Sequence, residues 1–171
     1  MRALIISIDH FLQLVESSSD SKTRRERKTA LRELLLTKLR DHRFSAIFEE
    51  SDPRELTIAQ ELANEQNPKI PWHNIMMSLD ERRTAGIFDA LKNRPSRLSP
   101  DMTYEIEKRI PEDEVREDYF VDQILTNAGE DDEVLVLLGD MHVAPVARKL
   151  NLPGLTVEID NRLVPDQRWE E

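Results

Sequence analysis

The stretch Glu133-Val-Leu-Val-Leu-Leu-Gly-Asp-Met-His142 decides the fold. Its aliphatic residues follow one another without polar alternation, which is typical of a strand buried on both faces. Residues 3–8 and 44–48 share this character, and residues 73–77 and 155–159 are weaker strand candidates. Strands covered on both faces belong to parallel sheets. The pattern therefore predicts a parallel sheet with the three strongest strands in its interior.

Helical patterns separate these strands. Apolar residues at spacings of three and four, or helix-start signals, predict helices over residues 22–41, 54–66, 80–92, 111–127 and 144–150. Ser21 stands where a cap is expected, and Pro111 with the acids after it suits a first turn. The alternation predicts an α/β fold with a mostly parallel central sheet of about five strands and helices on both faces.

The 171 residues fit one hydrophobic core. We expect a single α/β domain over residues 1–164 and a polar C-terminal tail over residues 165–171. The segment Arg-Pro-Ser-Arg-Leu-Ser-Pro-Asp, residues 94–101, is the best candidate for a mobile lid.

Composition excludes several classes of protein. The formal net charge of -10 argues against a nucleic-acid partner, and the basic run over residues 22–28 is interpreted as an exposed helix start. The absence of cysteine excludes disulfides and thiolate metal sites. No stretch approaches the ~20 apolar residues of a membrane helix, and the apolar run at residues 3–8 is short for a signal peptide. We therefore expect a cytoplasmic protein that binds no membrane.

Polar residues follow each of the three strongest strands. They are Asp9-His10, Glu49-Glu50 and Asp140-Met-His142. Ligands of open parallel sheets bind beyond the carboxyl ends of the strands. Two imidazoles and several carboxylates arriving from three strands could hold a divalent ion such as Mn, Co, Zn or Fe.

Each of these residues also has a purely structural interpretation. An Asp or His after a strand can cap the next helix, and Glu49 and Glu50 could be one buried and one solvated acid. Arg116 could form a surface ion pair, neutralise the acids or hold an anionic substrate, whereas a surface ion pair is favoured for Arg82 and Arg83. The coincidence of such residues at three strand ends favours a site.

The same residues resemble a known superfamily. Ser7-Ile-Asp-His10, the acidic Ile47-Phe-Glu-Glu50 and Gly139-Asp-Met-His142 occur in the order of the Tiki/TraB/erythromycin-esterase-like group, which includes ChaN-like proteins. Ser7 stands where that group has glycine, and Arg116 is similar to its upstream arginine. The resemblance implies a metal-assisted hydrolytic site, or at least its scaffold.

Two main hypotheses follow from the sequence. The first is a metal-dependent hydrolase in which His10, His142 and Glu49 or Glu50 hold the ion. In it Asp9, Asp140 and Arg116 would assist catalysis on a small molecule or peptide with an ester, amide or phosphoester bond.

The alternative is a non-catalytic domain that binds a small ligand or a protein on the same scaffold. A nucleotide-binding fold without the usual phosphate loop is least favoured, because the chain has only four glycines. We also expect a homodimer whose interface borders the site.

Overall fold

The central sheet is parallel and contains five strands. A computed structural model describes residues 1–15, 20–87 and 111–160. In chain order the strands are β1 (Arg2–Ile8), β2 (Ala46–Glu49), β3 (Trp72–Asn74), β4 (Glu133–Gly139) and β5 (Thr156–Asp160). Their spatial order is β3-β2-β4-β1-β5. The α/β prediction is confirmed, and the three segments expected in the interior are the three inner strands.

Helices fill the connections between these strands. Those in the described residues are α1 (His10–Gln13), α2 (Lys22–Asp41), α3 (Ile58–Glu65), α4 (Leu79–Thr84), α5 (Pro111–Asn127) and α6 (Asp140–Leu150). The bounds predicted for α2 and α5 agree with the structure, and Ser21 caps α2 by accepting a hydrogen bond from the Arg24 amide. None of the helices described is long and apolar enough to cross a bilayer.

Three helices differ from the prediction at their ends. α3 begins only at Ile58 because Thr57 is its N-cap and accepts a hydrogen bond from the Gln60 amide. α4 ends at Thr84, and Gly86 follows with a φ of 73°, a conformation that favours glycine after a helix. Residues 88–92 of the predicted helix lie outside the described residues. α6 begins at Asp140, directly after β4, and carries a proline in its interior.

Each face of the sheet carries its own core. Alternate residues such as Ile5, Phe48 and Val136 pack with buried residues of α5 and α6. Their neighbours in sequence, such as Leu4 and Ile47, pack on the other face with residues of α1, α2 and α3. The sheet is therefore covered on both faces, which explains why its inner strands carry almost no polar residues.

Part of the basic run at the start of α2 is buried and has a structural role. Lys28 is buried, and its ammonium group lies 2.7 Å from the buried Asp20 carboxylate. Arg25 donates a hydrogen bond of 2.7 Å to the backbone carbonyl of the same aspartate. An acid before the helix offsets the positive charges that face the positive end of the helix dipole.

The register of the inner strands brings their carboxyl ends to one edge. Ile8 of β1 is paired with Gly139 of β4, and Glu49 of β2 is paired with Leu137 of β4. The segments that follow these three strands therefore begin side by side. The expected lid at residues 94–101 and the expected tail at residues 165–171 lie outside the described residues.

Candidate functional site

Glu50 is the centre of the candidate site. Its side chain is fully buried, and the Nη2 group of Arg116 donates a hydrogen bond to its Oε1 atom. Its Oε2 atom accepts a hydrogen bond of 3.1 Å from the backbone amide of Gly139. A buried carboxylate needs such compensation, because burial without partners disfavours its charged form.

Both candidate histidines approach this carboxylate from opposite ends of the chain. The Nε2 atom of His10 lies 3.8 Å from Glu50 Oε2, and the Nε2 atom of His142 lies 3.7 Å from Glu50 Oε1. The sequence left open which glutamate faces the histidines, and the structure places Glu50 there. His10 is 47% exposed whereas His142 is only 7% exposed, so only His10 lies at the surface of the site.

The position of His10 is fixed by a glutamine one helical turn later. Gln13 is buried, and its amide nitrogen donates to Glu49 Oε1 at 3.1 Å and to the backbone carbonyl of Glu50 at 2.9 Å. This orientation leaves the Gln13 oxygen facing His10 Nδ1 at 2.8 Å. Because that oxygen can only accept, Nδ1 carries a hydrogen and the lone pair of a neutral imidazole is on Nε2.

His142 has the corresponding arrangement with a carboxylate. Its Nδ1 atom lies 3.1 Å from Glu117 Oε1, and Glu117 is fully buried. The His142 and Phe120 rings pack in a T-shaped arrangement with 5.5 Å between ring centroids, and the Arg116 guanidinium lies over the phenyl ring. One face of α5 therefore fixes both His142 and Arg116, since residues three and four apart share a helix face.

Glu49 faces the other side of the sheet from Glu50. Its Oε2 atom accepts hydrogen bonds from Thr57 at 2.6 Å and from the Trp72 indole at 2.7 Å, and its Oε1 atom accepts from Gln13. Burial raises the pKa of Glu49, and these three donors and the charge of His10 lower it in part. With both oxygens engaged, Glu49 supports Gln13 and thereby His10.

The two aspartates expected to assist catalysis are exposed. Asp9 lies between β1 and α1, and its backbone carbonyl accepts a hydrogen bond from the Leu12 amide. Asp140 accepts a hydrogen bond of 3.3 Å from the hydroxyl of the buried Ser7. Ser7, which stands where the resembling family has glycine, thus links the end of β1 to the start of α6.

Gly139 leaves the space that His10 occupies. A β-carbon at this position would lie 2.7 Å from His10 Nε2 and 3.4 Å from Glu50 Oε2. The backbone of Gly139 has a negative φ of -57°, so the requirement for glycine comes from the close approach of the imidazole.

The donor types of this set suit a divalent ion. Two imidazole Nε2 atoms and a carboxylate are common ligands, and a partner on Nδ1 is the usual second contact of a metal-binding histidine. Among the residues described, however, no three such groups are placed as ligands, and Arg116 already contacts Glu50 Oε1. An ion at this position would share the Glu50 carboxylate with Arg116, since a carboxylate has about four acceptor sites.

Sequence reasoning missed the residues that hold the histidines. They are Gln13, which contacts His10, and Glu117, which contacts His142, while Thr57 and Trp72 hold Glu49, the carboxylate that supports Gln13. The signals were weak: a glutamine one turn after His10, and a glutamate next to the candidate Arg116. Glutamine and glutamate are common on exposed helix faces, so spacing alone does not mark either residue.

Comparison of the chain with protein families, with curated proteins and with solved structures finds no match. The resemblance to the Tiki/TraB/erythromycin-esterase-like group therefore rests on the quoted residues and stays a prediction.

Proposed function

We propose that the chain is a hydrolase in which His10 acts as general base at a site organised by Glu50. The observation that carries the proposal is the approach of two imidazole Nε2 atoms to one buried carboxylate, at 3.7 and 3.8 Å. Each Nδ1 atom is held by a separate acceptor. Histidines used only as helix caps have no reason to converge in this way.

The proton steps follow from the hydrogen bonds of each histidine. His10 is exposed to solvent, so its Nε2 atom can take a proton from a water molecule that attacks the substrate. The Glu50 carboxylate lies close enough to stabilise the positive charge that this proton brings to the ring. The Gln13 oxygen keeps the imidazole in the required tautomer.

His142 and Glu117 form a second, buried pair. A carboxylate on Nδ1 fixes the orientation of an imidazole, as in the carboxylate–histidine pairs of other hydrolases. We assign to His142 the positioning of the Glu50 carboxylate, and the proton that His10 takes from water then passes from His10 to the leaving group. Asp9 and Asp140 remain candidates for assisting residues, and Arg116 keeps the Glu50 carboxylate in place.

A metal-dependent form of the same hydrolase is the second candidate. It is favoured by the two Nε2 lone pairs that face a carboxylate, since a cation would relieve the repulsion between them. His10, His142 and Glu50 would hold the ion, with Mn, Co, Zn and Fe as the expected metals. A bound ion would act there as a Lewis acid.

Hydrolysis of chromogenic ester, amide and phosphoester substrates tests the proposal. We expect turnover by the wild-type protein and a loss of about 100-fold or more in kcat/KM for His10→Ala and for His142→Ala. His42→Ala is the matched control. His42 is the C-cap of α2 and contacts Glu133 at the start of β4, whereas the site lies at the carboxyl ends of the strands. Equal losses in all three variants would contradict the assignment.

Elemental analysis before and after chelation separates the two forms. Activity that survives chelation supports the metal-independent form. A metal bound in stoichiometric amount to the wild-type protein, and absent from His10→Ala and His142→Ala, supports the metal-dependent form. A protein that turns over no substrate of the panel, yet binds a small ligand or a protein through the same residues, would favour the non-catalytic alternative.

The expected homodimer, with an interface that borders the site, is a separate proposal. Light scattering tests it at micromolar concentration, and a monomer under those conditions would contradict it.

A further inference from the structure

A second arginine lies beside the Glu50 site. Arg82 is half-buried in α4, and its Nε atom donates a hydrogen bond of 3.1 Å to the Met77 carbonyl. The preceding residue, Glu81, accepts a hydrogen bond of 2.8 Å from Tyr119 of α5. Since Tyr119 lies three residues after Arg116 on the same helix, this contact brings the two arginines to the same end of the sheet.

The charges around Arg82 are unfavourable for an arginine. Burial lowers its pKa, the positive charge of Arg116 lowers it further, and the negative charges of Glu50 and Asp52 raise it. These acids are already paired, Glu50 with Arg116 and Asp52 with the exposed Arg54 at 2.5 Å. Within the part of the chain that the structure describes, no carboxylate oxygen lies within 4.0 Å of the Arg82 guanidinium.

Two hydrogen-bond donors near these charges have no partner among the described residues. They are the buried Nε atom of Arg116 and the buried hydroxyl of Ser51. Ser51 lies between Glu50 and Asp52, and the Asn74 side chain, from the end of β3, donates to its backbone carbonyl at 2.9 Å. A buried donor without a partner is costly, and an acceptor that binds there removes this cost.

We propose that Arg82 and Arg116 together bind an anionic group, a carboxylate or a phosphate, at the edge of the Glu50 site. Guanidinium groups offer planar sets of donors that match both anions. The anion would be part of the substrate, a point that rests on the proposed hydrolase. The binding of the anion itself does not depend on that function.

An arginine that merely contacts solvent would behave differently. Such a side chain is exposed, and its removal does not affect a bound anion beyond the general effect of charge. Arg83, the next residue of α4, is of this kind: it is 71% exposed and paired with Asp80 at 2.5 Å. It is therefore a matched control of the same residue type on the same helix.

Titration with inorganic phosphate and, separately, with acetate at constant ionic strength tests the proposal. The readouts are the imidazole NMR signals of His10 and His142 and the melting temperature. We expect saturable binding by the wild-type protein, about 10- to 100-fold weaker in Arg82→Ala and changed less than about twofold in Arg83→Ala. The anion that binds more tightly shows whether the site prefers a phosphate or a carboxylate.

Arg82→Lys keeps the charge without the planar donors, and we expect an intermediate affinity. This variant also serves if Arg82→Ala does not fold. No saturable binding of either anion, or equal weakening by the Arg82 and Arg83 variants, would overturn the proposal. Activity on neutral esters without anion binding would refute the anion site and leave the proposed hydrolase function intact. Anion binding without turnover of any substrate would support the anion site and contradict the hydrolase function.

Discussion

Replacement of Glu50 by glutamine tests the electrostatic organisation of the site. The substitution keeps the shape of the side chain but removes the charge that faces Arg116, Gly139 and both histidines. Removing one partner of a buried ion pair costs about 3–5 kcal/mol. Arg116 is 24% exposed and therefore keeps part of its hydration, which favours the lower end of that range. We expect a loss of about 3 kcal/mol in the free energy of unfolding.

Urea denaturation followed by circular dichroism measures this loss. For a domain of this size, 3 kcal/mol corresponds to a decrease of about 6–12 °C in Tm. Glu158→Gln is the control, since Glu158 forms a surface ion pair with Arg2 at 2.9 Å and is 50% exposed. There we expect a change of about 0.5 kcal/mol or less. A Glu50→Gln protein as stable as the wild type, or more stable, would show that Arg116 and the Gly139 amide do not offset the burial of this charge.

Three further predictions concern other parts of the structure. Gly139→Ala should displace the exposed His10 imidazole and reduce kcat/KM while Tm changes little, and an unchanged His10 NMR signal would contradict this. Burial and the hydrogen bond to Glu81 raise the pKa of Tyr119 to about 12, so the folded protein should lose stability as the pH rises from about 10 to 12. Ultraviolet titration should show a lower pKa of this tyrosine in Glu81→Gln. Lys28→Met removes the ammonium group that lies 2.7 Å from the buried Asp20 carboxylate, while Arg24 stays 3.7 Å from the same acid. We expect a loss of about 3 kcal/mol in the free energy of unfolding by urea denaturation, the lower end of the cost of breaking a buried ion pair, and no loss would contradict a structural role of the basic run.

The sequence was sufficient to predict the sheet because its inner strands carry a local signal. Strands covered on both faces must be apolar at every position, and β1 and β4 show this over nearly their whole length. β3 was harder to locate: it forms only Trp72–Asn74, at the edge of the sheet, and the apolar residues that suggested residues 73–77 extend beyond it. Its few backbone pairs with β2 form only in the folded chain, so the local sequence does not reveal them.

The candidate site could be predicted only in its outline. Strand ends identified His10, His142 and the Glu49-Glu50 pair, because the carboxyl ends of parallel strands meet at one edge. Which glutamate faces the histidines depends on which helices cover each face of the sheet, since consecutive residues point to opposite faces. Glu117 could not be predicted either, because its contact with His142 arises only when α5 packs beside α6.

The glycine of the late motif follows from the order of the strands. β4 lies between β1 and β2, so His10 and Glu50, which follow the outer two of these strands, can meet only across the end of β4. Gly139 is the last residue of β4, and a β-carbon there would lie 2.7 Å from His10 Nε2, so the imidazole would have to move. Ser7 has a different position, one residue before the end of β1, where its hydroxyl reaches Asp140. Glycine at the late motif therefore leaves the His10 imidazole its position beside Glu50, while serine is accommodated at the first.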